Sequence, residues 1–171
     1  TDHYSTASIC GPNSKKILKK IFPDKDFSDD AFPHMSYQNG KIDEINCRIM
    51  RISFTGELSY EINIESKYGK SLWEKCIEAG KEFKITPYGT ETMHLLRAEK
   101  GFIIVGQDTD GTMTPIDLQM DWIVSKKKYD FIGKRSLYRS DTIREDRKQL
   151  VGLLTDDPNE VLEEGAQIVS D

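Results

Sequence analysis

Two spacings of apolar residues alternate along the chain, one at every third or fourth position and one at every second. Between Ser14 and Phe22 the apolar residues Ile17, Leu18, Ile21 and Phe22 are separated by paired lysines. This spacing predicts a short amphipathic helix behind the turn Gly11-Pro12-Asn13, stopped by Pro23. From Ser71 onward Leu72, Trp73, Cys76 and Ile77 trace a second helical stripe that ends at Gly80, and a further helix is predicted from Thr90 to Lys100, between Gly89 and Gly101. Period two governs Leu58 to Ile64, with Leu58, Tyr60, Ile62 and Ile64 on one face and Ser59, Glu61 and Asn63 on the other. Upstream, Ile45 to Ser53 is β-branched and free of Gly and Pro, so the two runs, joined through Thr55-Gly56-Glu57, read as an antiparallel hairpin whose polar face carries Glu61.

The remaining pattern is weaker. Asp24 to Pro33 reads as a loop; Phe102 to Val105, Asp121 to Ser125, Gln149 to Thr155 and Gln167 to Ser170 read as short strands; Gly133 to Ser140 reads as a short helix with a basic outer face. Helices and strands alternate irregularly, with hairpin signals and no repeated βαβ unit, which favours an α+β fold, an antiparallel sheet with packed helices. A domain boundary is expected near residue 146. A start at Thr1 without Met, and an end at Asp171 just after the strand-like Gly165 to Val169, suggest a piece of a longer polypeptide.

Composition narrows the partners. The 171 residues are 37% hydrophobic and 31% charged, enough for one real core, and no run approaches the roughly 18 to 20 apolar residues of a membrane span. Lys and Arg number 24 against 29 Asp and Glu, a net charge of -5 that argues against nucleic acid as a partner. The basic run Lys126-Lys127-Lys128 and the interleaved Arg144, Arg147 and Lys148 read as solvated surface. Cys10, Cys47 and Cys76 are odd in number and far apart, as are His3, His34 and His94, so neither a disulfide framework nor a protein-bound metal is expected. No signal peptide opens the chain, and the expected location is cytoplasmic.

Three features can carry chemistry. Glu61 is a carboxylate on a polar strand face, able to accept two parallel N–H donors such as those on the amidine-like edge of pterins and guanines; taken alone it is also an ordinary solvated strand residue. Arg97, inside the third predicted helix between Leu96 and Ala98, calls for an anionic partner if partly packed, either a ligand carboxylate or an internal Glu91 or Glu99, and is otherwise a free surface arginine. Gly106-Gln107-Asp108-Thr109-Asp110-Gly111-Thr112 has the alternating acids of a calcium loop, but Gln119 stands where its twelfth-position acid belongs, so a loop held by Asp and Thr side chains is expected instead.

Five segments in order resemble the folate-dependent aminomethyltransferase family, the T-protein of the glycine cleavage system and its relatives. Cys10-Gly11-Pro12-Asn13-Ser14 is similar to the family's glutamine-glycine-proline turn. Arg51 to Ile62 (RISFTGELSYEI) resembles its arginine, T-G-E and aromatic-E-I strand, and Leu96 to Gly101 (LRAEKG) its L-R-x-E-x-G helix end. Thr114-Pro115 and Asp130 to Lys134 (DFIGK) match later landmarks. The wording from Tyr88 to Thr112, and S-F-T-G-E-L-S-Y-E before it, is similar to the branch found in the alpha subunits of bacterial heterotetrameric sarcosine oxidases.

The resemblance implies a partial aminomethyltransferase folate-binding fold over residues 1–145, followed at 146–171 by the first strands of a C-terminal β-barrel. It implies that Glu61, Arg97 and Arg51 belong to a tetrahydrofolate site, with Glu61 on the pterin edge. The implied activity is transfer of the one-carbon unit of oxidised sarcosine to tetrahydrofolate, giving 5,10-methylenetetrahydrofolate and glycine. In the family the catalytic aspartate lies upstream of the glycine-proline turn; Asp2 is too near the turn to be it, and this chain's catalytic residue is unassigned. FAD, FMN and NAD, and the beta, gamma and delta subunits, belong to the full complex. A non-catalytic folate-binding or assembly module, and a stand-alone T-protein-like aminomethyltransferase or demethylase, are the alternatives.

Overall fold

In a computed structural model of the chain, residues 3–167 and 169 are described. They fall into two compact units, one ending at residue 103 and the other beginning at residue 104. The first unit holds β1 (Tyr4–Cys10), α1 (Ser14–Ile21), β2 (Tyr37–Ile42), β3 (Ile45–Met50), β4 (Ser59–Glu65), α2 (Gly69–Gly80) and α3 (Thr90–Glu99). The strands make one antiparallel sheet in the order β1-β4-β3-β2. The class is α+β.

The sheet is built around β4. Its Tyr60, Ile62 and Ile64 are buried, and across the ladders they meet Ile9 and Ala7 of β1 and Ile49 and Cys47 of β3. Ile17 and Leu18 of α1 and Leu72 and Cys76 of α2 join this core, each fully buried aliphatic side chain contributing about 2 kcal/mol. Phe27 and Phe32 pack on the Tyr60 ring at 5.9 and 5.6 Å between centroids. The result is a two-layer unit with one apolar sheet face and one polar face.

Two strands lie where the pattern assigned nothing. β1 (YSTASIC) puts small Ser5 and Ala7 beside Ile9 on the core side, so its burial does not depend on bulk. β2 (YQNGKI) contains Asn, Gly and Lys, residues poor in strands. It is held by the two-residue turn Asp43-Glu44, whose φ angles of 46° and 65° suit the twist of a tight hairpin. The link between β3 and β4 is longer than a tight turn, running over residues 51–58.

Other expected strands do not form. Phe102 to Val105 is irregular, Asp121–Ile123 is a 3-10 turn, and Gln149 to Thr155 has no ladder. These runs are apolar enough for strands, but a strand needs a partner, and among the described residues none pairs with them. Gln167 to Ser170 includes Ile168 and Ser170, which lie outside the described residues. The expected helix at Gly133 to Ser140 is a 3-10 turn, Lys134–Tyr138, behind a left-handed Gly133.

The second unit is organised by one ion pair. Asp117 is 2% exposed, and Arg147 donates to it from Nε at 2.8 Å and Nη2 at 2.6 Å. The same guanidinium donates to the Asp141 carboxylate at 2.9 Å and the Thr112 carbonyl at 2.8 Å. Arg147 is therefore an internal clasp and not the solvated residue its charged neighbours suggested.

Candidate functional site

The polar sheet face follows from register. Glu61 stands opposite Ser8 of β1 and Met50 of β3, Ser59 opposite Cys10, and Asn63 opposite Thr6 and Arg48. The β1–β4 ladder is bracketed by Gly11 N–H donating to Leu58 O at 2.8 Å and Ser66 N–H donating to His3 O at 3.0 Å. Antiparallel pairs alternate, so Ser5, Ala7 and Ile9 exchange hydrogen bonds with β4, while Ser8 and Glu61 form a narrow pair with close side chains. Thr6 Oγ1 donates to Asn63 Oδ1 at 2.7 Å, and the Ser8 and Ser59 hydroxyls lie 3.3 Å apart.

Glu61 is half-buried on this face, and burial pushes its carboxyl above the ordinary glutamate range. Among the described residues no Lys or Arg is ion-paired to it. Arg48, nearest in register, lays its guanidinium over the Tyr37 ring at 5.3 Å. An anionic acceptor set among neutral hydroxyls and a methionine has the chemistry to receive N–H donors from a neutral heterocycle.

Arg97 is 7% exposed and turned to its own helix end. It donates from Nη1 to the Phe102 carbonyl at 3.0 Å, while the Phe102 N–H donates to the Arg97 carbonyl at 2.8 Å, closing the turn around Gly101. The T-G-E connection lands on the same helix. Glu57 pairs with Lys100 at 3.0 Å, and Phe54 stacks on His94 at 6.4 Å. Gly56 has φ 79°, and a Cβ there would lie 2.5 Å from the Lys100 Cβ, so glycine alone permits this contact.

Arg51 is committed elsewhere. Its Nη1 donates to the Phe32 carbonyl at 2.7 Å and pairs with Asp29 at 2.7 Å. Lys15 first, and Arg51 after it, hold the Asp29 carboxyl below its usual range. Two of the motifs, T-G-E and the end of α3, are thus brought together, while Glu61 faces the sheet's polar side and Arg51 pins the 24–33 loop. The 106–112 loop is held as its composition suggested: Asp108 accepts from Ile104 N–H at 2.7 Å and Asp110 from Thr112 N–H at 2.7 Å.

The sequence pattern alone missed Ser8 as Glu61's neighbour. The available signal was the alternation of Thr6, Ser8 and Cys10 with Ala7 and Ile9, a period of two in small residues.

Comparison with known proteins finds the GCVT N-terminal domain over residues 1–128. The chain is 56% identical to sarcosine oxidase subunit alpha of Corynebacterium sp. (strain P-1), over 100% of the chain and 18% of that protein. It is 39% identical to sarcosine oxidase subunit alpha of Rhizobium meliloti, over 99% of the chain and 17% of that protein. It is 32% identical to an aminomethyltransferase of Halothermothrix orenii, over 81% of the chain and 38% of that protein. The chain thus spans less than a fifth of the length of the sarcosine oxidase subunits that it resembles.

Proposed function

The chain belongs to the GCVT N-terminal domain family, and on that footing we propose that it is the folate-binding module of a sarcosine oxidase alpha subunit, passing the one-carbon unit of oxidised sarcosine to tetrahydrofolate. The observation that carries the reading is Glu61: a half-buried carboxylate on the polar sheet face, across from Ser8 and Met50, whose pKa burial raises. Within this reading, residues 1–145 form the folate-binding domain, residues 146–171 open a second one, and flavins, NAD and the smaller subunits serve elsewhere in the assembly.

The residues fit the group. Glu61 accepts the paired N–H donors of the pterin edge, and the Ser8 and Ser59 hydroxyls stand beside it to complete the polar wall. Tetrahydrofolate, when bound, supplies the nitrogen nucleophiles that take up the one-carbon unit. The chain's part is to bind, orient and exclude water, which raises the effective concentration of one reactant beside the other. Arg97 closes the end of α3 through the Phe102 carbonyl, next to Lys100 that meets the T-G-E connection, and Arg51 acts at one remove by fixing the loop beneath Tyr60.

Replacement of Glu61 by Gln in the complete sarcosine oxidase assembly tests the reading. Sarcosine oxidation is expected to continue while the one-carbon unit is recovered as formaldehyde in place of methylenetetrahydrofolate. Methylenetetrahydrofolate formation at the normal rate would remove Glu61 from the pterin site.

A further inference from the structure

We propose that Tyr37 and Arg48 form the far half of the folate site, Tyr37 packing against the benzoyl ring of tetrahydrofolate and Arg48 holding the carboxylates of its glutamate tail. The proposal rests on the folate reading of Glu61 and extends it across the sheet.

Register sets the geometry. Glu61 of β4 stands opposite Met50 of β3, and Met50 stands opposite Tyr37 of β2, so the three side chains form one cross-strand row on the polar face. Neighbouring strands lie about 4.8 Å apart, which puts Tyr37 about 10 Å from Glu61. Arg48, two residues before Met50 and on the same face, leans away from Glu61 and lays its guanidinium over the Tyr37 ring at 5.3 Å. From β4 to β2 the face thus presents a carboxylate, a thioether, an exposed aromatic ring and a cation. A tetrahydrofolate extended over that row meets them in its own order: the N–H donors of the pterin edge, the flat body of the pterin, the benzoyl ring and the anionic tail.

The charge of Arg48 is unspent. Among the described residues it has no ion pair, and the groups that could neutralise it are engaged with others. Glu65, further along β4 on the same face, pairs with Lys67 at 2.9 Å, and Glu44, at the end of the hairpin, pairs with Lys41 at 3.2 Å. Asn63, directly opposite Arg48, is neutral, and its side-chain oxygen accepts from Thr6 at 2.7 Å. Stacking on Tyr37 holds the guanidinium plane over the ring while its N–H groups point outward along that plane, the arrangement that receives a carboxylate through two parallel hydrogen bonds. Tyr37 remains 62% exposed with the guanidinium in place, so ring surface is left for a second aromatic group. The face carries an anion at one end and an unpaired cation at the other, the complement of a ligand with N–H donors at one end and carboxylates at the other.

The test is calorimetric titration, under exclusion of oxygen, of the complete sarcosine oxidase assembly carrying this chain, with tetrahydrofolate and with tetrahydropteroate, which lacks the glutamate. The parent is expected to bind tetrahydrofolate about tenfold more tightly than tetrahydropteroate, a gap that narrows as salt is raised. Arg48→Ala should weaken tetrahydrofolate about tenfold, to the level of tetrahydropteroate, and leave tetrahydropteroate as it was. Arg48→Lys should recover only part of that loss, because it restores the charge without the planar fork. Tyr37→Ala should weaken both ligands and Tyr37→Phe neither. A loss in Arg48→Ala that is equal for the two ligands, no loss at all, or full affinity in Tyr37→Ala overturns the proposal. The folate reading has its own arm: Glu61→Gln should weaken both ligands. If it weakens neither, that reading falls and this proposal with it; if it weakens both while Arg48→Ala changes nothing, the tail assignment alone falls.

Discussion

Arg147 grips Asp117 through two parallel hydrogen bonds, from Nε at 2.8 Å and Nη2 at 2.6 Å, across thirty residues of sequence. Thr114 adds its N–H at 2.8 Å and its hydroxyl at 2.9 Å to the same carboxylate oxygen. The second unit has neither α-helix nor strand among its described residues, so this clasp takes the place that a ladder has in the first. Arg147→Ala is expected to lower the melting temperature of the chain by about 3 °C or more and to open residues 112–147 to proteolysis. Arg144→Ala, at a largely exposed pair with Asp141, should change neither.

The clasp also sets a pH dependence. Arg147 above all holds the Asp117 carboxyl well below the ordinary range. As pH falls, the unfolded chain therefore takes up the proton first. The stability due to the pair is present in full above about pH 4 to 5 and is lost as pH drops below the ordinary aspartate value of about 3.9 toward the folded one. Thermal melts between pH 7 and pH 2 should show this loss in the parent chain and a flatter profile in Asp117→Asn.

Glu61 has the opposite sign. Burial raises its pKa, so its relative contribution to stability is greatest below the ordinary glutamate value of about 4.3 and declines as pH rises through the folded value. Glu61→Gln should raise the melting temperature at pH 7 by about 1 to 2 °C and weaken tetrahydrofolate binding by about 10- to 100-fold in the complete subunit. Calorimetric titration beside a melting curve reads both; a stabilised variant with unchanged affinity would separate Glu61 from the ligand.

Gly56 is the position where the T-G-E connection tolerates no side chain. Gly56→Ala meets both a left-handed φ of 79° and the Lys100 side chain at 2.5 Å. A cost of about 1 to 3 kcal/mol is expected from chemical denaturation, larger than that of Lys100→Ala, which removes only a half-exposed ion pair.

The three thiols should differ in reactivity. Burial pushes Cys76 up to about 11 and raises Cys47 as well, while Cys10 is partly exposed with its Sγ 3.0 Å from the Tyr88 hydroxyl. Iodoacetamide at pH 8, followed by mass spectrometry, should modify Cys10 first and reach Cys47 and Cys76 only when the chain unfolds.

What the sequence made legible is what local pattern dictates. The helices α1 and α2 have apolar stripes of helical period, α3 is marked by the glycines at its two ends, and β3 and β4 have the residues of half-buried strands. β1 and β2 were hidden because their burial rests on neighbours: Ala7 and Ser5 are small enough to pass beneath the helices, and β2 is held by pairing through Asp43-Glu44, without the glycine that usually announces such a turn. The overcalled strands at 102–105, 121–125 and 149–155 show the converse, strand-like composition without a partner edge. Glu61 could be placed on a polar face from period two alone, but its half-buried state needed β1 and β3 on either side. The fates of Arg51, Arg97 and Arg147 were not legible, since the Phe32 and Phe102 carbonyls and the Asp117 carboxylate become partners only in three dimensions.

The sheet order has a kinetic side. β2 and β3 are joined by two residues and can close within microseconds, whereas β1 must wait for a partner more than fifty residues downstream, in the register Tyr4 to Glu65. On a ribosome that emits the chain from its amino end, β1 therefore remains an orphan until the whole of β4 has emerged. The strand that bears Glu61 is the keystone laid last, so substitutions that weaken β4 should slow the appearance of folded protein during synthesis more than equal losses in the β2–β3 hairpin.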